Sequence, residues 1–385
     1  MRSRTGLLIV GAAIAVSMLA VTSVAQASVQ PSSRTCAQPD GRVSASAVSS
    51  GVLYIGGRFT HVSDLHGVSR GRAGLAAIDL ATCEVLPWRA DTNGYVNALD
   101  VVARAVYAGG DFTTVGGLSR TRIAALDAAT ATVLPFQHSI DKPVRALTNS
   151  GTMLYAGGEF TKVDGAGRSR LAAFDISSGA LSTAWKPNAS GTVRTLTPSA
   201  AGERIYVGGT FTSLNGESAY AYMGAVDPSD GTVNTGFNPG AAFPILSLVA
   251  DTRGVYAGGA GHGGHLVIWN EDGSLQRPIY QTDGDVQAVA VYGNSVYAGG
   301  HFDNYCVGNT GSGAPFICDN PLTRKKLLEV SLTSGDLASW APKLNSNLGV
   351  FTESTDPLSG DLYVGGDFTT INSLQQKHLG VFPAK

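Results

Sequence analysis

The sequence predicts an all-β fold: a single seven-bladed β-propeller of four-stranded antiparallel blades, closed by pairing of an N-terminal strand with the last blade. Three observations carry that expectation. A tyrosine, one small or aliphatic residue and a glycine pair recur at Tyr54, Tyr107, Tyr155, Tyr206, Tyr256, Tyr297 and Tyr363. The copies lie about 50 residues apart, the mark of a repeat architecture and not of separate domains. Each copy sits among the same short apolar runs divided by turn residues, with no competing helical periodicity.

Composition agrees. Of 385 residues, 43% are hydrophobic, only 15% are charged and 49 are glycine, a balance suited to short strands and many turns. A formal net charge of −2, with no basic stripe or charged tail, argues against nucleic acid or an anionic membrane as partner. Arg2 and Arg4 precede an apolar run from Leu7 to Val24, and Ala25-Gln26-Ala27 follows. That pattern reads as a secretory signal peptide over 1–27, cleaved after Ala27, which places a monomeric protein outside the cell. The competing reading is a retained anchor, because the run is long enough to span a bilayer. Nothing later in the chain is that apolar. Cys36, Cys83, Cys306 and Cys318 are an even set in an exported chain, so two disulfides are expected, with three pairings possible. Cys306 and Cys318 bracket one loop and suit a local staple, which leaves Cys36 with Cys83. No CxxC spacing or nearby histidine pair supports a metal at these cysteines.

The third repeat shows the elements in order: VRAL at 144–147, MLYAGG at 153–158, LAAFD at 171–175 and LSTAW at 181–185. Turn residues such as Asn149-Ser150-Gly151 and Ser177-Ser178-Gly179 separate them. Four strands make one blade. The blades span 41–90, 95–138, 143–188, 192–239, 245–281, 285–342 and 348–385, with 31–38 completing the last. Along the glycine-pair strand, Leu154, Ala156 and Gly158 face one way and Tyr155, Gly157 and Glu159 the other. A glycine pair inside a strand marks a close backbone approach or a bulge, and the phenylalanine after it fills the gap between blades. The first strand, RVSASAV at 42–48, opens the exported chain, whereas the last repeat stops at HLGVF, 378–382. The segment Arg34–Gln38 is the candidate for the missing outer strand, with Cys36 on it; closure would remove the open sheet edges.

The phrase Tyr-x-Gly-Gly-x-Phe-Thr, then a loop, a strand like LAAFD and a turn like ISSG, resembles the bacterial delta-60-repeat β-propeller family. Similar phrases occur in fungal cortical polarity markers. The resemblance covers all seven repeats and implies the fold; that family is largely without an assigned activity. Kelch repeats carry a glycine pair with aromatics at wider spacing after it, and no Trp-Asp dipeptide of the WD type is present. AALDAAT at 124–130 looks like the repeats of quinoprotein dehydrogenases, but their adjacent cysteine pair is missing, and no cofactor is expected. Repeat five, YAGGAGHGGHLVIWN, loses the Phe-Thr; repeat six carries a long insertion, 302–323.

Candidate site residues come from two places. The residues after the glycine pair are Arg58, Asp111, Glu159, Thr210, Ala260, His301 and Asp367, at the end of a strand where propellers commonly bind. Those before the third strand are Gly74, Arg122, Arg170, Tyr222, His265, Lys326 and His378. Asp111 and Arg122, Glu159 and Arg170, and Asp367 and His378 lie eleven positions apart, as hairpin salt bridges would. That pairing assumes Tyr155 opposite Phe174, and each bridge would contribute about 0.2–1 kcal/mol. Asp111, Glu159, His301 and Asp367 are therefore candidate binding residues whose first expectation is pairing. His262 and His265 would point to opposite faces of a strand, with no carboxylate at ligand spacing, so no metal site is expected. The second place is the insertion, where Asp303, Asn304, Tyr305 and Phe316 form the most distinctive surface element; such loops on rigid scaffolds often carry function. No GxSxG, HExxH or phosphate loop appears, so no catalytic residue is assigned. The functional expectation is a secreted, non-enzymatic propeller binding a protein or glycan through its loop face. The alternative is an extracellular propeller enzyme, a glycan hydrolase or lyase or a quinoprotein-like oxidoreductase, which would need unpaired acids or histidines converging at the axial end.

Overall fold

The computed structural model describes residues 28–307, 318 and 320–385; the expected signal peptide and Phe316 lie outside them. In repeat three, Val144–Ser150, Met153–Gly158 and Leu171–Asp175 pair as an antiparallel meander with the tyrosine phrase in the middle strand. The same meander is built by Arg42–Ser49, Val52–Arg58 and Leu75–Asp79. Val96–Val102, Ala105–Gly110 and Ile123–Asp127 repeat it, as do Val193–Pro198, Ile205–Gly209 and Met223–Val226. It recurs in Ile245–Asp251, Gly254–Gly259 and Gly264–Trp269, and in Val286–Tyr292, Ser295–Gly300 and Leu327–Ser331. Val350–Thr355, Leu362–Gly366 and Leu379–Phe382 form the last. Among the described residues the helical element is one 3-10 turn, Ser218–Tyr220, and no helix is long and apolar enough to cross a membrane.

First strands stand side by side in chain order, and Val350–Thr355 packs in turn against Arg42–Ser49. There the Ser46 hydroxyl lies 2.9 Å from that of Thr352 and 3.0 Å from that of Ser354.

The glycine pair has two separate causes. A Cβ on Gly157 would stand 2.5 Å from Cγ1 of Val193 in the following sheet, whereas one on Gly158 would strike the Pro143 carbonyl oxygen beside its own first strand. Leu154, Ala156 and Phe160 pack toward the preceding sheet with Tyr107 and Ile123; Tyr155 packs toward the following one with Val193 and Phe211. The phrase is thus the seam that joins consecutive sheets. Its register differs from expectation: Tyr155 faces Ala173, and Leu154 faces Phe174.

The expected fourth strand is mostly a single antiparallel bridge: Ile78 to Val85, Leu126 to Val133, Phe174 to Leu181, Val226 to Val233 and Val330 to Leu337. Prolines follow closely, at Pro87, Pro135, Pro187, Pro239 and Pro342, and cannot donate to a ladder. Aromatic packing replaces hydrogen bonding there. Trp88, Phe136, Trp185, Phe237 and Trp340 set their rings edge-on to the repeat tyrosines at 4.8–5.4 Å between centroids. Each such pair contributes about 0.5–1.5 kcal/mol beyond its buried area. The indoles of Trp88 and Trp185 also donate to the Asp127 and Asp227 carbonyls of the next sheet, each at 3.0 Å. Repeat five differs, because Tyr280–Thr282 pairs as a true outer strand and the insertion strands Asn304–Cys306 and Pro321–Thr323 extend that sheet to six.

The N-terminal segment does meet the last sheet, but through residues 28–34, so that of the expected Arg34–Gln38 only Arg34 takes part. Val29 bridges Ala384 and Arg34 bridges Val381, with Gln30 N–H donating to the Pro383 carbonyl at 2.7 Å. Trp340 donates to the Gln30 carbonyl at 2.9 Å, the role that Asp127 and Asp227 carbonyls play elsewhere. From Arg34 the chain turns to repeat one, where Gln38–Pro39 pairs with His61–Ser63. The buried Cys36–Cys83 disulfide explains the turn, since Cys83 lies in the outer turn of repeat one. Cys306–Cys318 is the second disulfide, also as expected.

Candidate functional site

Every first strand carries a bulge near its start. The register skips one residue between Val43 and Ala45, Val96 and Ala98, Val144 and Ala146, Val193 and Thr195, Ile245 and Ser247, Val286 and Ala288, and Val350 and Thr352. A bulged residue is unpaired, and its side chain is re-aimed out of the pleat. Here the skipped residues are Ser44, Asn97, Arg145, Arg194, Leu246, Gln287 and Phe351. With Arg42 they line one recess of about 300 Å³ where the first strands converge. A second recess of about 210 Å³ shares all of these residues but Arg42 and takes in their neighbours along the strands.

The acids flagged from the sequence surround this mouth, but they do not form the expected hairpin bridges. Glu159 accepts from Arg145 Nε at 2.8 Å, and Asp111 lies 4.0 Å from the same guanidinium and 3.4 Å from the Asn97 amide. Asp367 stands 3.8 Å from Arg42, whose guanidinium lies 4.4 Å over the Phe351 ring. The partners are arginines of first strands and not Arg122, Arg170 and His378. Those three adopt left-handed backbone, at φ of 71°, 67° and 61°, which turns each side chain away from a cross-strand neighbour. Gly74 occupies the same place at φ 77°, a conformation glycine takes without strain. Arg122 donates to the Asp111 backbone carbonyl, and His378 meets the Gly366 carbonyl at 3.2 Å. His301 lies 4.0 Å from Asp285, whose carboxyl is pushed up by burial against the opposing pull of His301.

Arg194 is the exception. Among the described residues it makes no hydrogen bond or ion pair, although its neighbours are all engaged. Its side chain is exposed, yet the recess it lines removes part of its water. That desolvation pulls the guanidinium down from its ordinary value, Arg145 adds to the effect, and Glu159 opposes it.

The insertion residues are placed differently. Asp303 accepts from Lys326 at 2.8 Å and Lys325 at 3.0 Å, beside a recess of about 460 Å³ that also takes in Lys343, Asn345 and Asn347. Asn304 donates to Asp283 at 2.7 Å, and Tyr305 pairs with Thr282 and Leu322. Both hold the hairpin to the sheet of repeat five, and neither reaches the axial mouth. His265 stacks on Phe243 at 4.0 Å, and burial lowers its pKa to about 4. Among the described residues no group of three His, Cys, Asp or Glu is placed to hold a metal ion.

One residue escaped the sequence reading altogether. Glu353 has both carboxylate oxygens buried without a hydrogen-bond partner, and burial raises its pKa well above 4.5. The Ala290 amide faces it and opposes the rise, but outside hydrogen-bonding geometry. Glu353 stands where repeats two to five carry Leu99, Leu147, Leu196 and Leu248, each the fourth residue of Val-x-Ala-Leu or its equivalent. A lone acid in a column that otherwise reads Ser46, four leucines and Val289 was the available signal.

No family model matches this sequence, and no curated protein matches it. Solved structures do. The WD40 β-propeller domain of Doa1 is 11% identical, with a TM-score of 0.58 over 91% of this chain and 96% of that one. The computationally designed Ika8 protein is 14% identical, with a TM-score of 0.54 over 91% of this chain and 98% of that one. At such identities the likeness speaks to the backbone alone. Together with the successive meanders, it shows that this chain is all-β and has a β-propeller fold.

Proposed function

We propose that the chain is an exported seven-bladed propeller, of the delta-60-repeat kind its phrases resemble, that binds a protein or glycan through the face where the axial recess opens. One observation carries this reading. The seven repeats share their core residues almost position for position, yet the bulge residues aimed at the axis are all different except for two arginines. Core packing alone does not require that variety; a surface shaped to a partner does. The insertion adds to the same face, because it begins directly after His301, the counterpart of Asp111 and Asp367 at the end of a middle strand. Two disulfides suit an oxidising compartment, which supports export.

The enzyme reading loses its best support. It needed free acids at the axial end, and Asp111, Glu159 and Asp367 each lie within 4.0 Å of an arginine. The binding reading is tested by plugging the mouth with Ser44→Trp. The variant is expected to keep the circular dichroism of the parent and to lose binding on glycan and peptide arrays. Retained binding would place the partner site elsewhere, with the lysine-lined recess beside Asp303 next to be examined.

A further inference from the structure

We infer that the axial recess takes a single carboxylate carried on a sugar ring, a uronic acid residue, with Arg194 as its counter-ion. This rests on the reading that the recess is the binding surface. The charges around the mouth are nearly balanced: Arg145 is held by Glu159 and Asp111, and Arg42 lies against Asp367. The three arginines and three acids cancel in sum, but because Arg145 takes two of the acids Arg194 is left without an ion-pair partner. One unpaired guanidinium presents a bidentate fork to one carboxylate. A chain dense in phosphate or sulfate would instead meet three acids at the rim.

The remaining lining favours a sugar body over a peptide end. In ring order the lining runs Ser44, Asn97, Arg145 and Arg194, then Leu246, Gln287 and Phe351. Four polar heads thus stand opposite two apolar side chains with Gln287 between them. Asn97 directs its amide hydrogens to Asp111 and to the Val144 carbonyl, both at 3.4 Å. Gln287 in its bonded orientation donates to the carbonyls of Val350 at 3.0 Å and Leu348 at 3.1 Å. With its donors turned into the wall, Asn97 keeps a carbonyl oxygen without a partner, which together with the Ser44 hydroxyl suits several ligand O–H donors. A sugar brings such donors and an apolar C–H face for Leu246 and the uncovered side of Phe351; a peptide terminus brings one or two N–H groups. At about 300 Å³ the recess lies at the small end of ligand sites, in keeping with a single ring.

The test titrates the protein with methyl glucuronide, methyl glucoside and N-acetylphenylalanine. Calorimetry supplies affinities, and NMR shifts at Leu246, Phe351 and Ala98 report occupancy of the recess. The glucuronide is expected to bind about tenfold or more tighter than the glucoside, the gain typical of one charge-assisted pair. Arg194→Gln should abolish that preference, Arg194→Lys should keep part of it, and added salt should weaken it. Unchanged preference in Arg194→Gln overturns the inference. So does equal binding of the glucoside in the recess, or occupancy by N-acetylphenylalanine alone, although the recess would then remain the binding surface. If no compound shifts the recess signals while the protein binds a partner elsewhere, both the inference and the reading beneath it fail.

Discussion

Replacing Glu353 by leucine is expected to raise the melting temperature and to flatten the dependence of stability on pH. The carboxyl is buried with neither oxygen hydrogen-bonded, so it carries an uncompensated desolvation penalty of about 1–3 kcal/mol. Leucine fits the place: the Leu99, Leu147 and Leu196 side chains lie against the first glycine of the preceding sheet, where Glu353 approaches Gly299. The sign of the pH effect follows from the raised pKa. Below the ordinary glutamate value the group is protonated in both states and has no pH-dependent effect. Above it the unfolded chain releases the proton while the folded protein retains it, so stability falls as pH rises toward the folded pKa. The parent should therefore lose stability between pH 4 and pH 8 relative to Glu353→Leu. Paired thermal melts at those two pH values check this. A stability difference that is the same at both would mean that Glu353 ionises freely in the folded protein.

Removing the Cys36–Cys83 disulfide is expected to destabilise the protein far more than removing Cys306–Cys318. The first joins residues 47 apart and ties the segment paired with the last sheet to repeat one. The second joins residues 12 apart within the insertion. Loop-closure entropy alone favours the longer loop, and loss of a native disulfide typically removes about 2–4 kcal/mol. At the same seam Arg34 pairs with Asp361 at 3.1 Å and donates to the Leu80 carbonyl at 3.2 Å, so the segment has further holds and the fold should survive. Melting temperatures of Cys36→Ser/Cys83→Ser and Cys306→Ser/Cys318→Ser compare the two. An equal or larger drop in the second would remove the mechanical role assigned to the first.

The repeat phrase made the middle strands and their glycines legible, because a close approach that forbids a Cβ must be written as glycine in every copy. Both disulfides were legible for a similar reason, since few pairings fit the loops. The bulge residues were not. A bulge displaces side-chain alternation by one, so counting along VRAL or VQAV gives no sign that Arg145 or Gln287 faces the axis. The same displacement hides the partners of the acids: the eleven-residue spacing at Asp111, Glu159 and Asp367 points across the hairpin, whereas their partners stand on first strands. Left-handed backbone at Arg122, Arg170 and His378, where nothing but Gly74 hints at it in sequence, sends the acids to Arg145 and Arg42 instead. Asn304 and Tyr305 read as loop residues yet lie in a strand, because the insertion folds back as a hairpin on the sheet of repeat five.

The mouth exists only if the first strand of repeat one stands beside the first strand of repeat seven. Ser46 and Thr352 meet there, their hydroxyl oxygens 2.9 Å apart across 306 positions of sequence. A Ser46→Cys/Thr352→Cys variant places two thiols at that contact, and mass spectrometry of a non-reduced digest reads whether they join. A closed ring predicts a disulfide linking positions 46 and 352 within one chain, with Cys36–Cys83 and Cys306–Cys318 intact. Free thiols at both positions, or a linkage found only between chains, would contradict closure and with it the axial recess.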